Sequence, residues 1–346
     1  MGTAEGKDVA GRVAARLLRE YWRARPLLTL RRFMTPIDGI AIDRPFFLLG
    51  TQTGGLSLIS RMLRRNSRTV YCHGNSRFWS AQDEMQNVRF RCLPEAFRLG
   101  IIEHVGTRVP RGGIADHPEF GLHRNFIYAC DELLGLYRKT EADYTPEVAQ
   151  GLADTIRACI RAYAHDIHDC RFLDKSQTFT LKMPLLRKCL PGVRFILVAR
   201  NPYAQCIRFC HGHVSKRIRG HFRTPPTRER LLDLVVQHWR NTFRIALADM
   251  EGHDDCLVLR FEDFLGDVDQ GLRGMADFLE LPFEPGMVPQ PGIMPHFGSI
   301  GTQKWYPVHK EVNRKHLRLL DEQSIDRIRE GLQGLDEHFD YTPDGP

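Results

Sequence analysis

Residues Pro45–Arg61, read as PFFLLGTQTGGLSLISR, set the tightest limit on what this chain can become. The unbroken apolar run from Phe46 to Leu49 suits a strand covered on both faces, as in a parallel sheet. Gly50-Thr51-Gln52-Thr53-Gly54-Gly55 cannot continue that strand comfortably. Small residues let the backbone turn tightly and leave its N–H groups open to a ligand. Leu58, Ile59, Met62 and Leu63 then recur at helical spacing. Strand, small-residue turn and helix N-terminus together make a geometry that binds phosphate. The stretch is not the ATP-binding loop GxxxxGK[ST], because Leu56 stands where that motif needs Lys. Nor is it the GxGxxG dinucleotide fingerprint. Taken alone, it leaves a plain strand-to-helix turn as the rival reading.

The rest of the chain sharpens this. Its 346 residues can bury a full core, and one large α/β domain with an appended helical region is expected. A net charge of +7 favours anionic ligands such as nucleotides, polyanionic glycans or a lipid surface. No zinc-finger or aromatic RNA-binding pattern argues for nucleic acid. Nine widely spaced cysteines, an odd number, fit a reducing, cytoplasmic setting. Cys206, Cys210, His211 and His213 cluster, but a second ligand pair at zinc spacing is missing, so no metal is expected. No stretch reaches the ~20 apolar residues of a membrane span, and Arg12, Arg16, Arg19 and Glu20 break the first apolar segment, unlike a signal peptide.

Along the chain, Val9 to about Leu30 reads as a helix with an apolar stripe of Val13, Leu17, Leu18, Tyr21 and Trp22. Its Arg-rich face is either solvated or a peripheral contact with an anionic membrane. Val70-Tyr71 starts a short strand, and His73–Trp79 comes next, where open α/β sheets place substrates. Residues 80–125 read as an irregular acceptor-binding insertion. Phe172-Leu173 and Val193–Ala199 read as buried strands that deliver Lys175 and Arg200 at their ends. Lys175, Lys182 and Arg200 recur near strand–helix junctions, which favours an anion site over a solvated face. His211–His221 and Arg223–Arg230 read as a mobile basic segment, and Cys256–Phe261 as a third buried strand, with Glu262 capping the next element. Ser324–Phe339 reads as one terminal helix.

Pieces of the chain, in this order, resemble the sulfotransferases that use 3′-phosphoadenosine 5′-phosphosulfate. GTQTGGLS (Gly50–Ser57) is similar to that family's loop G-x-x-[RK]-[SAT]-G-T-[TS]. LDKS (Leu173–Ser176) is similar to its Lys-Ser/Thr segment, and FILVARNPYAQCIR (Phe195–Arg208) to its strand, Arg and helix. LRFEDFLGD (Leu259–Asp267) with the nearby FLELPF, and the closing loop GTQKW (Gly301–Trp305), complete the resemblance, which spans about 45–340.

The resemblance implies a three-layer α/β/α fold around a mostly parallel sheet, of the P-loop-NTPase-like sulfotransferase type. One domain would cover 41–340, after a basic amphipathic helix in 1–40, with an acceptor-binding insertion about 80–130 and a closing loop over 295–310. Thr51, Gln52, Thr53, Gly54, Gly55, Leu56 and Ser57 would wrap the phosphosulfate. Arg200 would hold the 3′-phosphate, with Arg208 where the family often has Ser. Gly301, Lys304 and Trp305 would close over the nucleotide, and Lys175 would sit near the transferred sulfuryl group. Three positions depart from the pattern: Thr53 replaces a loop cation, Gln177 a basic His, and Asn75 a Glu.

His73 is therefore the expected base, since a side chain titrating near pH 6.5 suits proton removal at neutral pH; Asp83, Glu84, Asp116, His117 and Glu119 are the alternatives. The implied reaction moves a sulfuryl group to a hydroxyl of a carbohydrate, nucleoside, or other small or lipid-linked metabolite. Adenosine 3′,5′-bisphosphate (PAP) is the product, and no metal takes part. A nucleotide-dependent kinase and a catalytically altered nucleotide-binding protein of the same fold remain as rivals.

Overall fold

The computed structural model describes residues 17, 21, 30–72, 84–87, 92–98, 119–120, 127–219, 222–290, 308 and 310–345. Five strands, β1 (Phe46–Leu49), β2 (Thr69–Tyr71), β3 (Arg171–Asp174), β4 (Arg194–Ala199) and β5 (Cys256–Arg260), form one sheet in the order β2-β3-β1-β4-β5. Every pairing is parallel. The helices used below are α1 (Leu56–Leu63), α2 (Pro146–Tyr163), α3 (Met183–Cys189), α4 (Pro202–Cys210), α5 (Arg228–Met250), α6 (Phe261–Gly266), α7 (Val268–Phe278), α8 (Arg314–Leu317) and α9 (Glu322–Leu332).

Strand β1 shows why the sheet has two cores. Side chains alternate across a strand, so Phe46 and Leu48 enter one cluster with residues of α1, α6 and α7. Phe47 and Leu49 enter the other, with residues of α2, α3, α4 and α5. All four are fully buried, and the result is the expected three-layer α/β/α arrangement around a parallel sheet. Because every strand runs the same way, the segments after β1, β3, β4 and β5 leave the sheet at one edge. The strand order reverses at β1, and open α/β sheets bind ligands at such a switch point.

Three local expectations need correction. Strand β5 is not buried: it pairs only with β4, and Val258 is 41% exposed, as an edge strand allows. Part of the expected mobile segment is helical, over Gly212–Arg219. The terminal helix is broken, because Gln333 and Gly334 both adopt positive φ before a last short turn at Leu335–His338. In the N-terminal segment Leu17 and Tyr21 are exposed, and among the described residues no helix is long and apolar enough to cross a membrane. Most of the expected insertion at 80–130 lies outside the described residues.

On α5, His238 is buried and its Nδ1 accepts the Ala129 N–H at 3.2 Å. Burial pulls its pKa from 6.5 to about 3. The folded value is depressed, so this stability is present above pH 6.5 and lost as pH falls from 6.5 towards 3, by about 1.4 kcal/mol per unit. His238→Asn keeps an acceptor but cannot titrate. The melting-temperature advantage of wild type over this variant is expected to shrink between pH 7 and pH 5; a pH-independent gap would contradict the assignment.

Candidate functional site

The glycine turn after β1 is held from two sides. From α4, Gln205 donates to Thr51 Oγ1 at 2.7 Å and also to the Gln52 carbonyl. From the end of β4, Arg200 donates to the Thr53 carbonyl at 2.6 Å. Gly54 N–H closes the turn onto the Thr51 carbonyl at 3.2 Å. The turn then feeds α1 through Gly55, which has φ 96° and no side-chain cap. Consequently the amides of Gly55, Leu56 and Ser57 donate to no acceptor among the described residues. This is the open N-terminus that attracts anions. The Gln52 side-chain amide is buried here with no hydrogen-bond partner among the described residues.

A cavity of about 860 Å³ opens on this turn. Thr51, Thr53, Gly55, Leu56 and Ser57 line it, as do Arg61 of α1, Gln177, Arg200, Arg208, Lys310 and Lys315. The side chains of Arg208 and Lys315 form no ion pair or hydrogen bond among the described residues. Glu311, the acidic group on the wall, pairs with Arg314 at 2.7 Å. Crowded cations leave a mark on their neighbour: burial, then Arg208, Arg200 and Lys315, pull the His316 pKa down to about 4. Burial and Arg208 pull Arg200 itself to about 10.

Arg200 does more than face the cavity. Its Nε donates to Asn313 Oδ1 at 2.9 Å and its Nη2 to the Val312 carbonyl. Asn313 in turn donates to Glu262, which also accepts the Asn201 N–H at 3.0 Å and the Tyr341 hydroxyl at 2.9 Å. Glu262, expected only to cap its own element, instead joins β4, α6, the turn before α8 and the C-terminal tail. Arg200 is a clamp between the glycine turn and the Val312–Asn313 segment.

Lys175 lies in a second polar nest, off the cavity wall. Its ammonium is 2.9 Å from Glu84 Oε1, and both residues are buried. Gln177 donates to the same oxygen at 2.9 Å, and Gln86 to Glu84 Oε2 at 2.9 Å. Gln177 lines the cavity, so the Lys175–Glu84 pair stands directly behind it. The segment that carries Glu84 is anchored through Met85 N–H, which donates to Asp174 at 2.6 Å. Burial raises the Asp174 pKa to about 6.

The expected three-cation grouping is thus reduced. Lys182 is not on the cavity wall: it is buried, donates to the Ala96 carbonyl at 2.6 Å, and is pulled by burial to about 7. His73, Asn75, Asp83, Asp116 and His117 lie outside the described residues, as do Gly301, Lys304 and Trp305. Of the described alternatives, Glu84 meets Lys175 while Glu119 pairs with Arg230 at 2.7 Å. Sequence reading missed Arg61, Gln205, Lys310, Asn313 and Lys315. Gln205 could have been found one helical turn past Asn201; the segment at 310–315 carries no periodic signal. Among the described residues, no acidic, His or Cys group is arranged to hold a metal.

The sulfotransferase family's model matches residues 45–285. Cytosolic sulfotransferase 15 of Arabidopsis thaliana is 26% identical over 135 residues, 36% of this chain. That match spans 37% of the curated relative, little more than a third of its length. Among solved structures, a sulfotransferase from Mycobacterium avium gives a TM-score of 0.49 at 13% identity, covering 90% of this chain and 80% of that one. The sulfotransferase domain from the curacin biosynthetic pathway gives 0.45 at 17% identity, covering 87% and 99%. A mouse sulfotransferase complexed with PAP gives 0.41 at 11% identity, covering 88% and 89%.

Proposed function

This chain belongs to the sulfotransferase family, and on that premise we propose that it moves a sulfuryl group from 3′-phosphoadenosine 5′-phosphosulfate to a hydroxyl of a small-molecule, glycan or lipid-linked acceptor. The carrying observation is the pair of cations without carboxylate partners among the described residues, Arg208 and Lys315, on the cavity beside the open amides of Gly55, Leu56 and Ser57. The fit is supported by shape as well as charge. A Cβ on Gly55 would lie 2.2 Å from the Phe261 ring, so this backbone is held where only glycine fits.

In this reading the glycine-turn amides and Ser57 take the phosphosulfate end, and Arg200, Arg208 and Lys315 the 3′-phosphate. The acceptor oxygen bonds to sulfur as the bond from sulfur to the 5′-phosphate oxygen breaks, and the electron pair stays on that phosphate oxygen. Charge there is what the site must stabilise. Lys175 serves that end, oriented by Glu84. Glu84 is a poor proton acceptor, since its two oxygens already accept from Lys175, Gln177 and Gln86. His73, two residues past β2, is the proposed base for the hydroxyl proton.

Calorimetric titration with PAP tests the reading. Wild type is expected to bind. Arg208→Ala should lose about 2 kcal/mol, the scale of a hydrogen bond to a charged group, with an unchanged melting temperature. Arg200→Ala should lose affinity and melt lower, because its clamp is gone. No binding by a folded wild type would overturn the assignment.

A further inference from the structure

The loop that should carry a cation has none: Thr51, Gln52 and Thr53 are neutral, and the Thr53 carbonyl is already occupied by Arg200. Yet the wall of the cavity holds a cation on the helix that the loop feeds. Arg61 lies one turn after Ser57 on α1, and both residues line the cavity. Residues four apart share a helix face, and side chains lean towards the helix N-terminus. Arg61 thus borders the same cavity as Gly55, Leu56 and Ser57, on the helix face that Ser57 shares. It is buried at 7% exposure while still bordering the cavity, so its charge acts where water screens little. Arg208 and Lys315 come from other helices, α4 and α8, and Arg200 reaches Asn313 just before α8.

We propose that Arg61 supplies from the helix the positive charge the loop lacks, and binds the 5′-phosphosulfate end of the donor. The proposal rests on the donor reading above. It makes Thr53 a displaced charge rather than a lost one: the cation has moved from the turn to the next helical turn.

Titrations with PAP and with adenosine 3′-monophosphate separate the two ends of the nucleotide. Wild type is expected to prefer PAP. Arg61→Gln should weaken PAP about 10- to 100-fold, the scale of one charge-assisted contact, and leave the 3′-monophosphate within about twofold. Adding Thr53→Lys to Arg61→Gln should restore part of the preference. A folded Arg61→Gln protein that keeps the full preference for PAP overturns the proposal. If Arg61→Gln fails to fold, Arg61→Lys decides: retained preference supports the role, and equal loss of both ligands overturns it. Wild type binding neither nucleotide sinks the donor reading, and this proposal with it; that result differs from wild type binding both equally, which overturns the Arg61 role alone.

Discussion

Replacing Lys175 by Met is expected to cut turnover about 10²- to 10³-fold, the usual cost of removing one stabiliser of developing negative charge. The same change should also destabilise the fold by about 3 kcal/mol, because it strands the buried Glu84 carboxylate without its cation. The two effects must be separated. Glu84→Gln in the Lys175→Met background removes the stranded charge, and Gln86 and Gln177 can still hydrogen-bond the new amide. Most of the melting temperature should return, and none of the turnover. Should the double variant recover activity along with stability, Lys175 is a structural residue and the charge behind Gln177 plays no part in transfer.

Gly55→Ala should be a severely damaging single methyl. Its added carbon would meet Phe261 Cε2 at 2.2 Å and Cδ2 at 2.3 Å, and φ is 96°. Phe261 is buried and starts α6, and the Arg200 guanidinium lies 5.5 Å from its ring centre. The ring cannot move without disturbing the Arg200 clamp. Overpacking and backbone strain together predict a loss of about 2–5 kcal/mol, with PAP binding abolished. Gly212→Ala is the control: φ is 63°, but nothing lies within 4 Å of the added carbon. It should cost only about 1–2 kcal/mol of left-handed strain and leave PAP binding intact. Equal losses in the two variants would show that φ alone, not the approach of Phe261, governs Gly55.

The parallel sheet was legible because the inner strands β1 and β4 carry short, unbroken apolar runs. The turn between β1 and α1 was legible for a related reason: few backbones leave amides open without small residues there. What escaped were side chains whose meaning comes from distant partners. Nothing near Glu84 in the sequence says that it meets Lys175, because the two lie 91 residues apart. Asn313 and Lys315 come after a segment without periodicity, so neither announces that it faces β4. Arg61 was hidden differently. At helical spacing it reads as a surface charge on an amphipathic helix, and only its burial beside the cavity sets it apart. Edge strand β5 was misjudged because an apolar run records hydrophobicity, not the number of neighbours.

The clamp through Arg200 has a consequence for how this protein comes into being. Thr53, Arg200, Asn313, Glu262 and Tyr341 form one hydrogen-bonded circuit, and it joins the turn after β1 to Tyr341. A growing chain can pair its first four strands and bury most of both cores before that circuit can close. The cavity is thus finished after the sheet, once the segments that carry Asn313 and Tyr341 have been made. A ligand that selects the closed circuit therefore stabilises the elements from β1 to Tyr341 together.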